Sequence, residues 1–229
     1  MSKYNNYTLS NVNDFMHRVY AWMAAGLGFS GLVAWLVANN SPIVNFLTKY
    51  PLVFILLFIA QLGLIFFLSH AVRTMKTGAA AFAFLTYAAL NGLLLSSFLR
   101  VYTLGSIVTT FFVSSGMFLA MALYGYFTNR DLSSMGSYLF MGLIGLVLAG
   151  LLNLFFKSGE LAFMASVAGV FIFTLLTAYD VQSIKKLAEE LAGTGMPLNG
   201  IAISAALTLY LDFINLFLFL LNLFGKRKN

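Results

Sequence analysis

Two acidic residues stand where carboxylates are rare. Of the seven Asp and Glu residues, Asp14, Asp131, Glu160, Glu189 and Glu190 fall in polar or loop-like stretches, whereas Asp180 and Asp212 interrupt long apolar runs. Asp212 lies in the middle of 205–221, a run otherwise made almost wholly of Leu, Phe, Ile, Ala and Tyr. A charged carboxylate at the centre of a membrane helix costs roughly 2.5–3.5 kcal/mol, so it needs a partner, a proton or a water-filled cavity. Asp180 is the candidate partner. If its run continues as helix through Ala192, the turn falls at 193–199, with Asp180 thirteen positions before Gly193 and Asp212 thirteen after Asn199. Each then lies about 20 Å from the turn along its own arm of an antiparallel hairpin. Equal arms predict two carboxylates at one depth.

Two carboxylates within hydrogen-bond reach do not easily both ionise, and such a pair shares one proton and titrates as a unit. With the proton present the pair bridges two helices; without it, two negative charges repel and offer oxygen ligands to a hard cation such as Ca²⁺. Asp180 and Asp212 are therefore the candidate pH sensor, ion gate and transient Ca²⁺ ligands, with no resident cofactor. Ser204, Thr208, Asp212 and Asn215 follow one another at four, four and three positions, a polar stripe on one side of the last helix, and Thr177 lies three before Asp180. Polar stripes in a membrane bundle point inward. The competing reading makes Asp180 an interfacial residue reaching lysine or water, and leaves Asp212 bonded to neighbouring Asn or Thr.

A basic residue can latch such a pair. Arg73, with His70 one turn earlier, ends the second apolar run on the membrane side of the hairpin turn, though an arginine there also reaches headgroups by snorkelling. His70 titrates in the relevant range, but neither it nor His17 has a second histidine or a carboxylate at metal-ligand spacing.

The elements that position these residues follow from composition. With 61% hydrophobic residues, 9% charged and a mean hydropathy of +0.91, the chain reads as an all-α integral membrane protein whose first partner is the lipid bilayer. The net charge of +6 is spread as single Lys and Arg residues between apolar runs, so it marks topology and not nucleic-acid binding. Cysteine is absent, which excludes disulfides, thiol catalysis and thiolate metal sites.

Residues 1–18 form a polar amino-terminal segment, 19–225 a single seven-helix membrane domain, and 226–229 a basic tail. The first apolar run starts at Val19, continues past Val33 and lacks a small-residue cleavage site, so it is expected to remain as an uncleaved span. Six more runs follow, at 52–71, 79–99, 107–127, 138–156, 162–181 and 201–224. None alternates as a barrel strand would. The last is apolar all round except for its stripe, which places it at the centre of the bundle. Counting basic residues on alternate sides gives seven on the amino-terminal side (Lys3, Arg18, Arg73, Lys76, Arg130, Lys185, Lys186) against Lys49, Arg100 and Lys157, favouring a cytoplasmic amino terminus. The tail, Lys226-Arg227-Lys228, disagrees unless the final segment re-enters.

Several stretches resemble the Bax-inhibitor family, the transmembrane Bax-inhibitor-motif proteins, and its bacterial branch in particular. They are Arg18-Val19-Tyr20 to Gly26, Tyr124-Gly125-Tyr126 through Asn129-Arg130-Asp131-Leu132-Ser133, Gly136 through Gly145, Tyr179-Asp180-Val181-Gln182, and Leu207-Thr208-Leu209-Tyr210-Leu211-Asp212-Phe213-Ile214-Asn215-Leu216-Phe217. The resemblance implies a seven-helix bundle with a central final helix and a pH-sensitive Ca²⁺ leak controlled by a paired-aspartate sensor, matched here by Asp180 and Asp212. It also implies a latching arginine late in the second helix, for which Arg73 is the nearest residue, in surroundings that do not fix the register. In a bacterium it implies the cell inner membrane, with calcium ions and protons as partners, the first permeant and the second gating.

Two other functions compete. An intramembrane aspartyl protease also uses a Tyr-Asp and a second Asp, but Leu209-Tyr210-Leu211 closes the approach that a Gly-x-Gly-Asp would leave open, so a non-enzymatic role is expected. A scaffold would use the pair only to fix helix packing. A retinal-type receptor is excluded because the last span has no lysine for a Schiff base.

Overall fold

A computed structural model describes residues 2–40, 42–43, 46, 49–71, 77–192 and 198–228; the side chains of residues 2–10, 51, 54–55, 58 and 68–71 lie outside that description. Among the described residues are seven helices: α1 (Ser2–Ala38), α2 (Pro51–Ala71), α3 (Thr77–Val101), α4 (Leu104–Phe127), α5 (Met135–Phe156), α6 (Gly159–Leu191) and α7 (Leu198–Phe224). All but α2 contain described stretches long and apolar enough to cross a membrane, and α2 itself runs 21 residues. The chain is an all-helical integral membrane protein.

The polar segment before Val19 continues α1 without a break. Its reason is a buried stripe at helical spacing, Val12, Phe15, Met16, Val19 and Met23, which extends the apolar face below the membrane run. At the other extreme α6 runs 33 residues, about 50 Å, because Lys185, Lys186, Glu189 and Glu190 are good helix formers and carry the helix beyond its apolar part. α5 is nearly all exposed, as a lipid-facing helix must be, whereas 67% of the apolar window of α7 is buried, more than in α1, α3, α4, α5 or α6.

The chain divides into two compact units. The first comprises Met1–Tyr102, Ala188–Tyr210 and Lys228–Asn229. In it α1 and α3 approach closely at two glycines: a Cβ on Gly26 would strike the Phe84 ring at 2.4 Å, and one on Gly92 would stand 2.7 Å from the Ser30 carbonyl oxygen. Small residues here serve close helix approach. The second unit comprises Thr103–Leu187 and Leu211–Arg227, built from α4, α5, most of α6 and the later half of α7.

α7 is one unbroken helix of 27 residues, about 40 Å long, long enough to cross a bilayer. Beyond it the tail is tied down. The Thr103 amide donates to the Lys226 carbonyl at 2.9 Å and the Lys226 amide to Ser106 Oγ at 2.9 Å, at the start of α4. Lys228 Nζ donates to the Leu99 carbonyl at 2.9 Å, and Arg100 to the Ala38 carbonyl at 3.2 Å. These two cations complement the negative ends of α3 and α1.

Candidate functional site

α6 and α7 run antiparallel in the second unit. Phe173 stacks on Phe219 with ring centroids 5.8 Å apart, and Gly169 leaves room for that ring, since a Cβ there would lie 2.5 Å from it. The same register, carried seven residues further in opposite directions, brings Asp180 and Asp212 together, and their side chains share a hydrogen bond. A bond between two carboxyl groups requires one proton, because an ionised carboxylate is acceptor-only. Asp212 is 4% exposed and Asp180 is part-buried. Asp212 Oδ2 is buried with no hydrogen-bond partner among the described residues. Thr174 Oγ1, two turns from Asp180 on α6, is likewise buried and unpartnered among them.

The polar residues read as support for the pair bond their own helices instead. Thr177 Oγ1 donates to the Phe173 carbonyl at 2.8 Å, Asn215 Nδ2 to the Leu211 carbonyl at 2.8 Å, and Thr208 Oγ1 to the Ser204 carbonyl at 3.4 Å. Ser204, Thr208 and Asn215 occupy the part-buried side of α7, while Asp212 beside them is buried. Arg73 lies outside the described residues, and of His70 only the backbone is described, so neither is placed relative to the pair. Among the described residues no three His, Cys, Asp or Glu side chains converge on one point.

What fixes Asp180 is the packing of α6 around it. Gly125 of α4 meets the α6 main chain so closely that a Cβ would stand 2.2 Å from the Ala178 carbonyl oxygen. Gly136, in the first turn of α5, lies against the Tyr179 hydroxyl, 2.6 Å from where its Cβ would be. Below them Gln182 clamps the loop between α4 and α5: its Oε1 accepts from the Leu132 amide at 2.9 Å and its Nε2 donates to the Arg130 carbonyl at 2.8 Å. Lys185 Nζ reaches the Tyr126 carbonyl at 3.0 Å and sits 4.8 Å from the centre of that ring. Lys186 pairs with Asp131 at 2.6 Å. That hydrogen bond, with others from Ser133, lowers the exposed Asp131 carboxyl from 3.8 to about 2. The motif stretches 124–133 and 179–182 are therefore two halves of one joint.

A second polar centre escaped the reading of the sequence. In the first unit Tyr210 is 0% exposed, with its hydroxyl 2.7 Å from both Ser30 Oγ and Asn91 Nδ2. Ser30 Oγ also lies 2.9 Å from the Gly26 carbonyl and 2.8 Å from that of Ala88. Asn91 donates to the tyrosine, and with Ser30 donating to a carbonyl the tyrosine hydroxyl is left to donate to the serine, so the three groups form one chain. The Tyr210 ring packs edge-on against Phe84 and Tyr87, at 5.8 and 5.9 Å. Ser30, Asn91 and Tyr210 each place a polar group in an apolar run, and the logic that singled out Asp212 finds them too.

Helices of membrane-crossing length, with a hydrogen-bonded carboxyl pair inside an antiparallel hairpin, define a polytopic α-helical membrane protein. The model of the family described as Inhibitor of apoptosis-promoting Bax1 matches residues 12–229. The chain is 46% identical over 220 residues to the inner membrane protein YbhL of Escherichia coli, covering 96% of this chain and 94% of that one. It is 44% identical over 217 residues to an uncharacterized protein of Borreliella burgdorferi, 95% and 94% of the two chains, and 42% identical over 221 residues to one of Deinococcus radiodurans, 96% and 94%. The chain belongs to the Bax inhibitor family.

Proposed function

We propose that this protein is a passive, non-enzymatic cation pathway with Ca²⁺ as the permeant ion, gated by the proton that Asp180 and Asp212 share. The single observation that carries the reading is the hydrogen bond between these two side chains, with Asp212 4% exposed and its Oδ2 unpartnered among the described residues. Membrane-buried acids of this kind mark ion and proton paths. Protonated, the pair staples α6 to α7 and the path is shut. Deprotonated, two like charges in a low-dielectric setting push apart and present oxygens to a hard cation. Opening is therefore favoured as pH rises.

The membrane in this reading is the bacterial inner membrane, as the name of the E. coli relative has it, with the amino terminus in the cytoplasm. Calcium is the permeant ion and the proton the gating one, and Arg73 with His70 is the candidate latch on the pair. The test is Ca²⁺ flux into proteoliposomes between pH 6 and 8. Wild-type flux should rise with pH, while Asp180→Asn and Asp212→Asn, whose amides keep the bridge without the charge, should stay low and flat. Equal flux in all three at every pH removes the gate, and loss of folding without any flux in the wild type makes the pair a packing device.

A further inference from the structure

A groove of about 430 Å³ runs between the first turns of α4 and the last turns of α7, lined by Gly105, Ser106, Thr109, Thr110, Val113, Leu220 and Phe224. That volume lies within the range of ligand pockets. Its lining changes along its length: hydroxyls of Ser106, Thr109 and Thr110 at the end of the helix, then Val113 and Leu220. From Gly105 to Val113 it descends eight residues, about 12 Å. The groove opens outward. Thr109, Val113 and Phe224 are exposed, as are the flanking Leu104 and Phe112, so it faces the hydrocarbon belt and not a water-filled interior.

A cation is tethered near its polar end by its main chain, although Lys226 is not itself part of the lining. The Lys226 main chain is bonded to Ser106 Oγ and to the Thr103 amide, which seats its exposed side chain beside the first turn of α4. The amino-terminal end of α4 adds positive potential at the same place. A cavity polar and positive at the interface and apolar below, open to lipid along its side, matches an amphiphile with an anionic head and a hydrocarbon chain. Attraction between a basic residue and an anionic headgroup near the membrane surface is worth about 1 kcal/mol.

We infer that this groove seats one acyl chain of an anionic phospholipid, with the phosphate at Ser106 and Lys226 and the chain along Val113, Leu220 and Phe224. The inference is independent of ion passage. The test is native mass spectrometry of the whole protein released from micelles containing equal phosphatidylglycerol and phosphatidylcholine. Wild type should retain phosphatidylglycerol about fivefold over phosphatidylcholine, the discrimination expected of one interfacial cation. Val113→Trp, which fills the groove, should abolish retention; Lys226→Gln should keep a lipid but lose the preference. Leu119→Trp, on the same helix but outside the groove, should behave as wild type, and Thr109→Phe is a second filling variant should Val113→Trp not fold. Unchanged retention in a folded filling variant, equal retention of both lipids by wild type, or undiminished preference in Lys226→Gln each overturns the assignment.

Discussion

Gly125→Ala adds one methyl group where α4 touches the α6 main chain two residues from Asp180. The new Cβ would stand 2.2 Å from the Ala178 carbonyl oxygen and 2.9 Å from its carbonyl carbon and Cα, against an ordinary contact of 3.4 Å or more. The obstacle is backbone, so no rotamer change relieves it, and the helices must part locally by about 1.2 Å. Overpacking of this kind costs about 1–3 kcal/mol. For a chain of this size each kcal/mol is about 2–4 °C in Tm, so the variant should melt about 2–12 °C below wild type. Gly116→Ala on the same helix is the control, because nothing lies within 4 Å of its Cβ. There the lower conformational entropy of alanine should leave stability equal or higher by about 0.5–1 kcal/mol. Far-UV circular dichroism in detergent micelles reads both; the two Trp residues in α1 would report the wrong part of the chain. A Gly125→Ala melt equal to that of Gly116→Ala refutes the close approach and the positioning of Asp180 argued from it.

Other outcomes follow from the same geometry. Tyr210→Phe keeps the ring contacts but strands the buried Asn91 amide, which should cost about 1–3 kcal/mol, and adding Asn91→Leu should recover part of that loss in thermal melts. Asp131 is held at about 2 by Lys186, so its grip on the loop is complete above its ordinary value near 3.8 and fades as pH falls through 2. Carboxyl-carbon NMR should find that low titration in wild type and see it return toward 3.8 in Lys186→Met. Gln182→Leu orphans the Leu132 amide and the Arg130 carbonyl together, so tryptic cleavage after Arg130 should accelerate far more than in Asp131→Asn. In the flux assay the Asp180→Asn, Asp212→Asn double variant should be no more altered than either single one, because the two residues act through one proton.

Much of this was legible because lipid leaves the chain few choices. Every apolar run long enough to span had to become a helix, and runs such as 107–127 and 138–156 differ from α4 and α5 by only three residues at their starts. The expectation that Asp180 and Asp212 share one depth rests on equal arm lengths, an argument that needs α6 to stay helical past its charged residues, as it does. What did not follow is instructive. Polarity before Val19 suggested a separate segment, but one buried stripe is enough to continue α1. Ser204, Thr208 and Asn215 share a face with the acid, yet local bonding to the preceding turn satisfies Thr208 and Asn215, a competition that helical spacing does not reveal. The Gly125 contact needed its tertiary partner, since nothing in the neighbouring sequence names Ala178; Ser30, Asn91 and Tyr210 stand out as polar groups in apolar runs, but their pairing does not.

The Lys226 peptide, bonded on both of its sides to the opening turn of α4, makes the carboxy-terminal end a poor place for a reporter or an affinity handle. A fusion attached directly there pulls on Thr103 and Ser106, and through them on the helix that carries Gly125. Handles on the amino-terminal side, or separated from Asn229 by a long flexible spacer, leave that weave undisturbed.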